Sequence, residues 1–439
     1  MERFVRTFLL YKGKNLDRQN VIWNTAGSFI YAAASMVLAF VVMRMAGEDD
    51  GGIFAMGFST FGQQVFIVAY FGIRPFQITD GKREYSFGDY LTLRNVTSLA
   101  ACILAAAYPA WMAAAGVYSP RKAAIIFLLA LYKMIDGFAD VYESEFQRQG
   151  SLYLTGKSNT FRTALSVFVF LVTLGIGKSL LAASLAAVAA QAAGVVIFNF
   201  SVVKAGILEH IDQKRAKGAA GRLFSQTWLL FLSVFLDFYI FSAAKYAIDL
   251  KLNDAMSGYF NIIFMPTSVI YLMANFIIRP FLTKLTDCWT EGRLDDFKKV
   301  GKRIAAIICG LTALAVILTV ILGPWALGIM EILLGSGYEG SLTRYRLEFV
   351  LIIFGGGLYA LANLVYYLLV IMRRQTMIFF VYLAMAAAGW LLSSAMVGAL
   401  GITGAAACYL ILMAGLTAGF TLIQQICLKK AEKKQEEER

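Results

Sequence analysis

The sequence predicts an all-α polytopic membrane protein with twelve transmembrane helices arranged as two six-helix lobes. Three observations support this class. Apolar residues make up 59% of the 439 residues and charged residues only 15%, and the mean hydropathy of +0.66 lies well above that of a soluble domain. Twelve apolar runs are long enough to cross a bilayer. A six-residue segment also recurs at about half the length of the chain.

The twelve predicted spans account for nearly the whole chain. Each is a continuous apolar run, which favours helices over the alternating segments of an outer-membrane barrel. The spans cover residues 21–46, 53–77, 91–115, 122–148, 159–177, 179–204, 223–250, 256–282, 302–333, 346–372, 375–400 and 402–428. The basic stretch before Val21, the short loops, a polar stretch and a charged tail remain outside them.

The recurring segment indicates an internal duplication. Phe71-Gly72-Ile73-Arg74-Pro75-Phe76 and Phe276-Ile277-Ile278-Arg279-Pro280-Phe281 agree at five of six positions and lie 205 residues apart. Both halves start on the same side of the membrane, as in a parallel 6+6 repeat. We therefore expect an N-terminal lobe at 1–204, a cytoplasmic linker at 205–222, a C-terminal lobe at 223–428 and a charged cytoplasmic tail at 429–439.

The distribution of charge sets the expected orientation. Most of the 40 Lys and Arg residues fall in the loops on the side of the two termini, so both termini are expected to be cytoplasmic. The net charge of +12 then reflects topology and contact with anionic lipid head groups rather than nucleic-acid binding. The five cysteines and the single histidine show no metal-ligand spacing, so no metal site is predicted.

Ionisable residues inside the spans indicate a function, because a charged group near mid-membrane costs about 3 kcal/mol. Span four carries Lys133, Asp136, Asp140 and Glu143 on one helical face. Lys133 and Asp136 are spaced for an ion pair, and Arg162 is a candidate partner for the carboxylates nearer the cytoplasm. Asp136 and Asp140 therefore either line a water-filled lumen or pair internally.

Two further spans carry polar side chains. Asp237 and Lys245 in span seven lie about 12 Å apart along one face, too far apart to pair directly, and Asp237 is the candidate site for a coupling proton or cation. Span one has a softer polar stripe, which consists of Asn24, Ser28 and Ser35. Small hydroxyl residues in membrane helices also serve packing, so the assignment of this stripe to a lumen depends on the other spans.

Several of these motifs resemble the polysaccharide-transport branch of the multidrug/oligosaccharidyl-lipid/polysaccharide (MOP) exporter superfamily. The resemblance is carried by Asn24-Thr25-Ala26-Gly27-Ser28, by Phe71 through Asp80, by Tyr85-Ser86-Phe87-Gly88-Asp89-Tyr90 with Arg94, by Asp140-Val141-Tyr142-Glu143 through Gly150, and by Gly156-Lys157-Ser158 through Arg162. It implies a V-shaped bundle with a central cleft in the bacterial cytoplasmic membrane. The implied function is alternating-access transfer of polyprenyl-diphosphate-linked oligosaccharide from the inner to the outer leaflet, for cell-surface polysaccharide biosynthesis.

The chemistry of that substrate suggests its ligands. A diphosphate head group is multiply anionic and requires Arg or Lys donors, and the candidates are Arg44, Arg74, Lys133, Lys245 and Arg279. No cofactor is expected. An inside-negative potential favours export of each negative charge by about 2.3 kcal/mol per 100 mV, and coupling to a proton or sodium stays open. Some relatives bind sodium between spans seven and eleven, but span eleven lacks acidic and amide residues here.

Other functions remain open at this stage. A multidrug or cation antiporter of the same superfamily would need an acidic lumen, which span four could supply. A membrane-embedded polysaccharide polymerase would need a large outer loop, and the outer loops at 47–51 and 335–345 are short. A scaffold would leave the intramembrane charges unexplained. We expect a monomeric transporter, not an enzyme, that contacts membrane lipids and polysaccharide-assembly proteins and binds no nucleic acid.

Overall fold

The computed structural model describes residues 5–11, 15–80, 84–204 and 211–437. Within these ranges the chain forms helices and no strand. Ten of the described helices are long and apolar enough to cross a membrane, judged by length and composition. These properties indicate a multi-pass membrane protein, and the predicted all-α fold class is confirmed.

The first half of the chain begins with a π-helical turn at Val5–Leu9. The long helices that follow are α1 (Leu16–Ala46), α2 (Glu48–Thr79), α3 (Phe87–Ala114), α4 (Pro120–Arg148), α5 (Leu152–Gly177) and α6 (Leu180–Lys204). The second half contains α7 (Ala219–Lys251), α8 (Asp254–Thr290), α9 (Leu294–Leu334) and α10 (Arg346–Ile371). A final helical run, Gln375–Glu437, is interrupted at Gly401, which divides it into α11 (375–400) and α12 (402–437).

The twelve helices correspond to the twelve predicted spans. Two differences explain why ten apolar helices correspond to twelve spans. Helix α4 has too many charged residues to be one of the ten, and the run Gln375–Glu437 is one of the ten although it contains both α11 and α12. Most helices extend a few residues beyond the apolar runs. One such extension is at the start of α9, where Leu294 and Phe297 of the charged segment are buried and continue the helix.

The chain forms two compact units, Met1–Phe235 and Leu236–Arg439. The first unit includes the start of α7, because Phe231 stacks on Phe71 with ring centroids 4.2 Å apart and the carbonyl of Phe235 accepts a hydrogen bond from Gln64. The lobe boundaries from the sequence, 1–204 and 223–428, stay a prediction. Residues 205–210 of the linker and 438–439 of the tail lie outside the described residues.

In the first unit α4 is the central helix and packs against α2, α3, α5 and α6. Helix α1 packs closely against α5 at two glycines. A Cβ atom added to Gly156 would lie 2.2 Å from the carbonyl of Trp23, and one added to Gly27 would lie 2.9 Å from the carbonyl oxygen of Gly156. The glycines of two motifs that carry the family resemblance therefore have a packing role.

The start of α3 holds the segment that precedes α7. Ser86 caps the helix through the amide of Asp89, and its hydroxyl donates to the carbonyl of Lys214 at 2.5 Å. The Asp89 carboxylate in turn accepts from the amide of Ala216 at 2.7 Å. A Cβ atom at Gly88 would lie 2.3 Å from the carbonyl oxygen of Lys214, so only glycine permits this approach.

In the second unit α10 is the central helix. It packs against α8, against α9 and against the run Gln375–Glu437. The contacts are close, since a Cβ atom added to Gly357 would lie 2.1 Å from Thr312 of α9, and one added to Gly355 would lie 2.7 Å from the ring of Tyr409. Glycines in the middle of α10 therefore bring three helices together.

The two copies of the repeated segment differ in backbone conformation. In α2 both Phe71 (φ 52°) and Gly72 (φ 64°) are left-handed, so the helix stops at Tyr70 and restarts at Ile73. In α8 the equivalent residues belong to the continuous helix Pro266–Ile278. The only sequence difference between the copies is Gly72 against Ile277, and glycine adopts the left-handed region at little cost whereas a β-branched residue does not.

The break in α2 is testable by substitution of Gly72. We expect Gly72→Ala to lower the stability by about 1–2 kcal/mol, because the new Cβ atom penalises the left-handed backbone. The side chain itself has room, since its nearest neighbour would be Leu230 at 3.5 Å. Thermal unfolding in detergent micelles measures the effect. Gly310→Ala in α9 is the control, because nothing lies within 4 Å of its Cβ position; equal midpoints for the two variants would contradict the assignment.

Candidate functional site

Arg162 of α5 neutralises two carboxylates of α4. Its guanidinium donates to Asp136 at 2.5 Å and to Glu143 at 2.6 Å. Asn199 and Gln191 of α6 complete the cluster, with amide nitrogens 3.4 Å from the same two carboxylates. The Arg162 side chain is only 1% exposed. Since removal of one partner from a buried ion pair leaves an unpaired charge, the three charges depend on each other.

Asp140 is shared between two arginines. Arg74 donates to one carboxylate oxygen at 2.6 Å and Arg94 to the other at 3.2 Å. The second nitrogen of the Arg74 guanidinium donates to Gln147 at 2.8 Å. Arg94 also donates to the carbonyl of Ala69 at 2.6 Å, which lies in the last turn before the break in α2, where helical carbonyls lack their usual donors. The break therefore helps to place both arginines beside Asp140 of α4.

A third cluster lies at the end of α4. Arg148 bonds to Glu145 at 3.1 Å and to the carbonyl of Tyr85 at 3.0 Å. Gln77 also donates to Glu145, at 3.1 Å, and Asp80 accepts from Arg148 at 3.5 Å. The four carboxylates of α4 are thus all bound to arginine side chains. Asp136 and Asp140 pair internally, which is one of the two alternatives that the sequence left open. Arg162 is confirmed as a partner of Glu143.

Lys133 of α4 does not pair with Asp136, so the ion pair expected from their spacing is wrong. Asp136 is bound to Arg162 instead, and Lys133 donates a hydrogen bond to the hydroxyl of Tyr31 at 2.9 Å. Its ammonium group also lies 3.9 Å from the centroid of the Phe58 ring. Among the described residues no carboxylate forms an ion pair with Lys133, which is 2% exposed. The groups in direct contact with this cation are therefore neutral, and Asp136 attracts it only at longer range.

The second unit repeats this situation with Lys245. Its ammonium group donates to Asn261 at 3.2 Å and lies 4.3 Å from the centroid of the Phe264 ring. No described carboxylate pairs with it. Asp237, eight residues earlier on α7, accepts a hydrogen bond from the hydroxyl of Tyr359 at 2.7 Å and has no basic partner within the described ranges. As expected from their separation, Lys245 and Asp237 do not pair with each other.

A polar cluster between α8 and α10 was missed from the sequence. Asn275 is buried and donates to the carbonyl of Tyr271 at 2.9 Å. Its side-chain oxygen lies 3.3 Å from the hydroxyl of Tyr367 and 3.4 Å from the amide nitrogen of Asn363. Arg279, one turn further along α8, is exposed and forms no ion pair or hydrogen bond with a described residue. The sequence contained one indication of this cluster, because polar residues recur at intervals of four on both helices, at 271, 275 and 279 on α8 and at 363 and 367 on α10.

The remaining predicted residues lie on α1. Arg44 is exposed near the end of the helix and Ser28 is exposed, whereas Asn24 is half-buried against α5. The Ser35 hydroxyl donates to the carbonyl of Tyr31 at 3.1 Å, within its own helix. The structure does not join these side chains into one site, and their place in a lumen stays a prediction. Across the described part of the chain no cluster of His, Cys, Asp and Glu could hold a metal ion.

Comparison with solved structures identifies the fold. No protein-family model matches the sequence, and no curated protein does. An inward-facing multidrug resistance MATE family transporter of the MOP superfamily superposes with a TM-score of 0.65 at 11% identity, over 98% of this chain and 99% of its own. The chain has the fold of a MOP-superfamily transporter. The Vibrio cholerae MATE transporter VcmN gives a TM-score of 0.60 at 12% identity, over 95% of this chain and 97% of its own.

A third solved structure shares this fold. It is a MOP superfamily transporter from Pyrococcus furiosus, described as having a binding pocket of reverse polarity that suggests a different function. The TM-score is 0.54 at 13% identity, with 94% of this chain and 95% of that chain covered. Because all these identities are low, the similarity establishes the fold alone.

The ion pairs of α4 predict a sharp loss of stability when Arg162 is removed. We expect Arg162→Met to cost about 3–5 kcal/mol, because Asp136 and Glu143 stay buried without a partner. The measurement is the monodisperse fraction and the unfolding midpoint after extraction in detergent. Arg18→Met, at an exposed position on α1, is the matched control.

A rescue variant distinguishes charge from packing. Asp136→Asn with Glu143→Gln in the Arg162→Met background removes the unpaired charges, and we expect it to recover part of the lost stability. An Arg162→Met protein as stable as Arg18→Met, or a rescue variant less stable than Arg162→Met, would show that these ion pairs do not carry the stability of the unit.

Proposed function

We propose that the protein is a transporter of the MOP superfamily that moves an anionic lipid-linked saccharide across the bacterial cytoplasmic membrane. In this proposal it belongs to the polysaccharide-transport branch and flips polyprenyl-diphosphate-linked oligosaccharide from the inner to the outer leaflet by alternating access. It acts as a transporter and not as an enzyme, and as a monomer in the membrane with both termini in the cytoplasm. Partner proteins would be those that assemble the polysaccharide.

The proposal depends on two lysines inside the spans that form no ion pair. Within the described ranges, Lys133 and Lys245 lie inside spans, contact only neutral groups directly and form no ion pair with a carboxylate. Asp136 attracts Lys133 only at longer range. An unpaired ammonium group in a membrane interior is costly, so such groups mark ion or substrate pathways. An anionic substrate supplies the missing counter-charge, and a diphosphate has enough charge to use more than one cation.

The acidic residues of α4 support the same conclusion. A cation antiporter needs carboxylates that are free to bind a positively charged substrate. Here Asp136, Asp140, Glu143 and Glu145 are all bound to arginine side chains, and Asp140 is held by two of them. These carboxylates therefore serve to position arginines and helices, and a cation would have to displace a buried guanidinium to reach them.

One observation favours a multidrug or cation antiporter as the second candidate. Asp237 has no basic partner among the described residues and is bonded to Tyr359, which stacks on Tyr271 at 5.5 Å and lies 5.2 Å from Phe241. A carboxylate among aromatic rings is a suitable site for an organic cation. The similarity to MATE transporters fits this candidate as well as it fits the flippase. In the flippase proposal Asp237 instead binds the coupling proton or cation.

The two unpaired lysines provide the first functional test. We expect Lys133→Met and Lys245→Met to reduce translocation of a polyprenyl-diphosphate-linked oligosaccharide in proteoliposomes at least tenfold each, since each removes a charge-assisted contact of about 1.5–3 kcal/mol. Lys299→Met, at an exposed position on α9, is the control and should transport normally. Unchanged translocation by both interior variants, with normal insertion into the membrane, would refute the proposal.

Asp237 provides the second functional test. We expect Asp237→Asn to remove any dependence of transport on a proton or sodium gradient, because the amide cannot gain or lose a charge. Transport is measured with and without each gradient, and Asp287→Asn on α8, which is exposed, is the control. If the gradient dependence survives in Asp237→Asn, the residue is not the coupling site. If the variant instead loses export of organic cations, the second candidate function is favoured.

A further inference from the structure

We propose that α8 and α10 form a subsite for the glycosyl diphosphate part of the substrate, with the sugar on Tyr271 and Asn363 and the phosphates at Arg279. This inference rests on the proposed function and adds to it a location and an order of groups. All of its residues lie in the second unit.

The spacing along α8 matches an extended polar ligand. Tyr271, Asn275 and Arg279 occur at intervals of four residues, so they form one stripe along the helix. The helical rise places the first and last about 12 Å apart, which is a span suited to a sugar ring joined to two phosphate groups. The stripe thus has an aromatic ring at one end and a guanidinium at the other, with the buried amide of Asn275 between them.

Tyr271 and Asn363 have the chemistry that a sugar requires. The Tyr271 ring is stacked on Tyr359 at 5.5 Å and 23° and is nonetheless 39% exposed. The electron-rich face of such a ring attracts the C–H groups of a pyranose. The amide nitrogen of Asn363 lies 3.4 Å from Asn275, whereas its oxygen accepts from no described residue. It is therefore available to a sugar hydroxyl.

Asn275 is a positioning residue in this subsite. It is 4% exposed, so it does not reach the ligand itself. It donates to the carbonyl of Tyr271 and accepts from both Asn363 and Tyr367. One buried amide thus fixes the side chains of α10 relative to α8. A buried amide with three partners in a membrane helix is costly to lose, and here it connects the groups that would contact the sugar.

Arg279 is the counterpart of Arg74 in the duplicated segment, and the two have different environments. Arg74 is bound to Asp140 and Gln147, whereas Arg279 is exposed and has no ion pair or hydrogen bond within the described ranges. The left-handed break at Gly72 turns the first copy toward α4, and Ile277 keeps the second copy helical. Only the second copy therefore offers a free guanidinium, the group that binds phosphate most specifically.

The same guanidinium could also bind the phosphate of a membrane lipid, so the test compares both sources. The protein is placed in nanodiscs of phosphatidylcholine, and binding is measured for three probes: farnesyl diphosphate linked to glucose, farnesyl diphosphate alone, and farnesyl glucoside without phosphate. We expect Arg279→Gln to weaken both diphosphate probes about 10- to 100-fold and to leave the glucoside unchanged. Addition of phosphatidylglycerol should compete only weakly.

Variants at the sugar side should have the opposite selectivity. We expect Tyr271→Leu and Asn363→Leu to weaken the glucose-linked diphosphate about 5- to 10-fold and to leave farnesyl diphosphate unchanged. Tyr271→Phe retains the ring and should bind normally, which separates stacking from misfolding. Lys284→Gln, at an exposed position on the same helix, is the control for loss of a positive charge near Arg279.

Two outcomes overturn the subsite. Equal effects of Tyr271→Leu on both diphosphate probes would show no sugar contact, and abolition of probe binding by phosphatidylglycerol would make Arg279 a head-group anchor. These failures are distinguishable from failure of the proposed function. In that case the wild-type protein itself would bind neither diphosphate probe and would translocate no saccharide lipid.

Discussion

The neutralisation of charge inside the first unit is the constraint on which the rest of the structure depends. Helix α4 carries four carboxylates, and each is bound to an arginine. Arg162 of α5, Arg74 of α2 and Arg94 of α3 bind three of them, and Arg148 of α4 itself binds Glu145. Because an unpaired charge cannot remain in a membrane interior at low cost, these contacts fix the neighbouring helices around α4. They also remove the carboxylates from any role in binding a cationic substrate.

The duplicated segment shows how one substitution separates structure from function. Gly72 permits two left-handed residues, which end the helix, free the carbonyl of Ala69 for Arg94 and direct Arg74 to Asp140. Ile277 cannot adopt that conformation without strain, so the second copy stays helical and its arginine stays exposed. Duplication with later divergence thus accounts for one arginine that stabilises the fold and one that is available to a ligand.

The sequence predicted the twelve helices well, because apolar runs of about 20 residues have few alternatives in a bilayer. It could not predict which charged side chains pair with each other, since these pairs depend on helix packing. The spacing favoured a pair between Lys133 and Asp136, but Asp136 is bound to Arg162 of α5. The cluster at Asn275 was missed for a similar reason. An isolated asparagine in an apolar run resembles a packing residue until α10 brings Asn363 beside it.

The central claim is that the unpaired interior lysines serve an anionic substrate, and the sign of the charge that crosses the membrane tests it most directly. Proteoliposomes with a potassium-diffusion potential allow the rate of saccharide-lipid translocation to be measured at zero potential and at −100 mV on the side of origin. We predict faster outward movement with the negative potential, because each negative charge gains about 2.3 kcal/mol. A rate that is unchanged or slower, together with potential-driven uptake of an organic cation, would contradict the account.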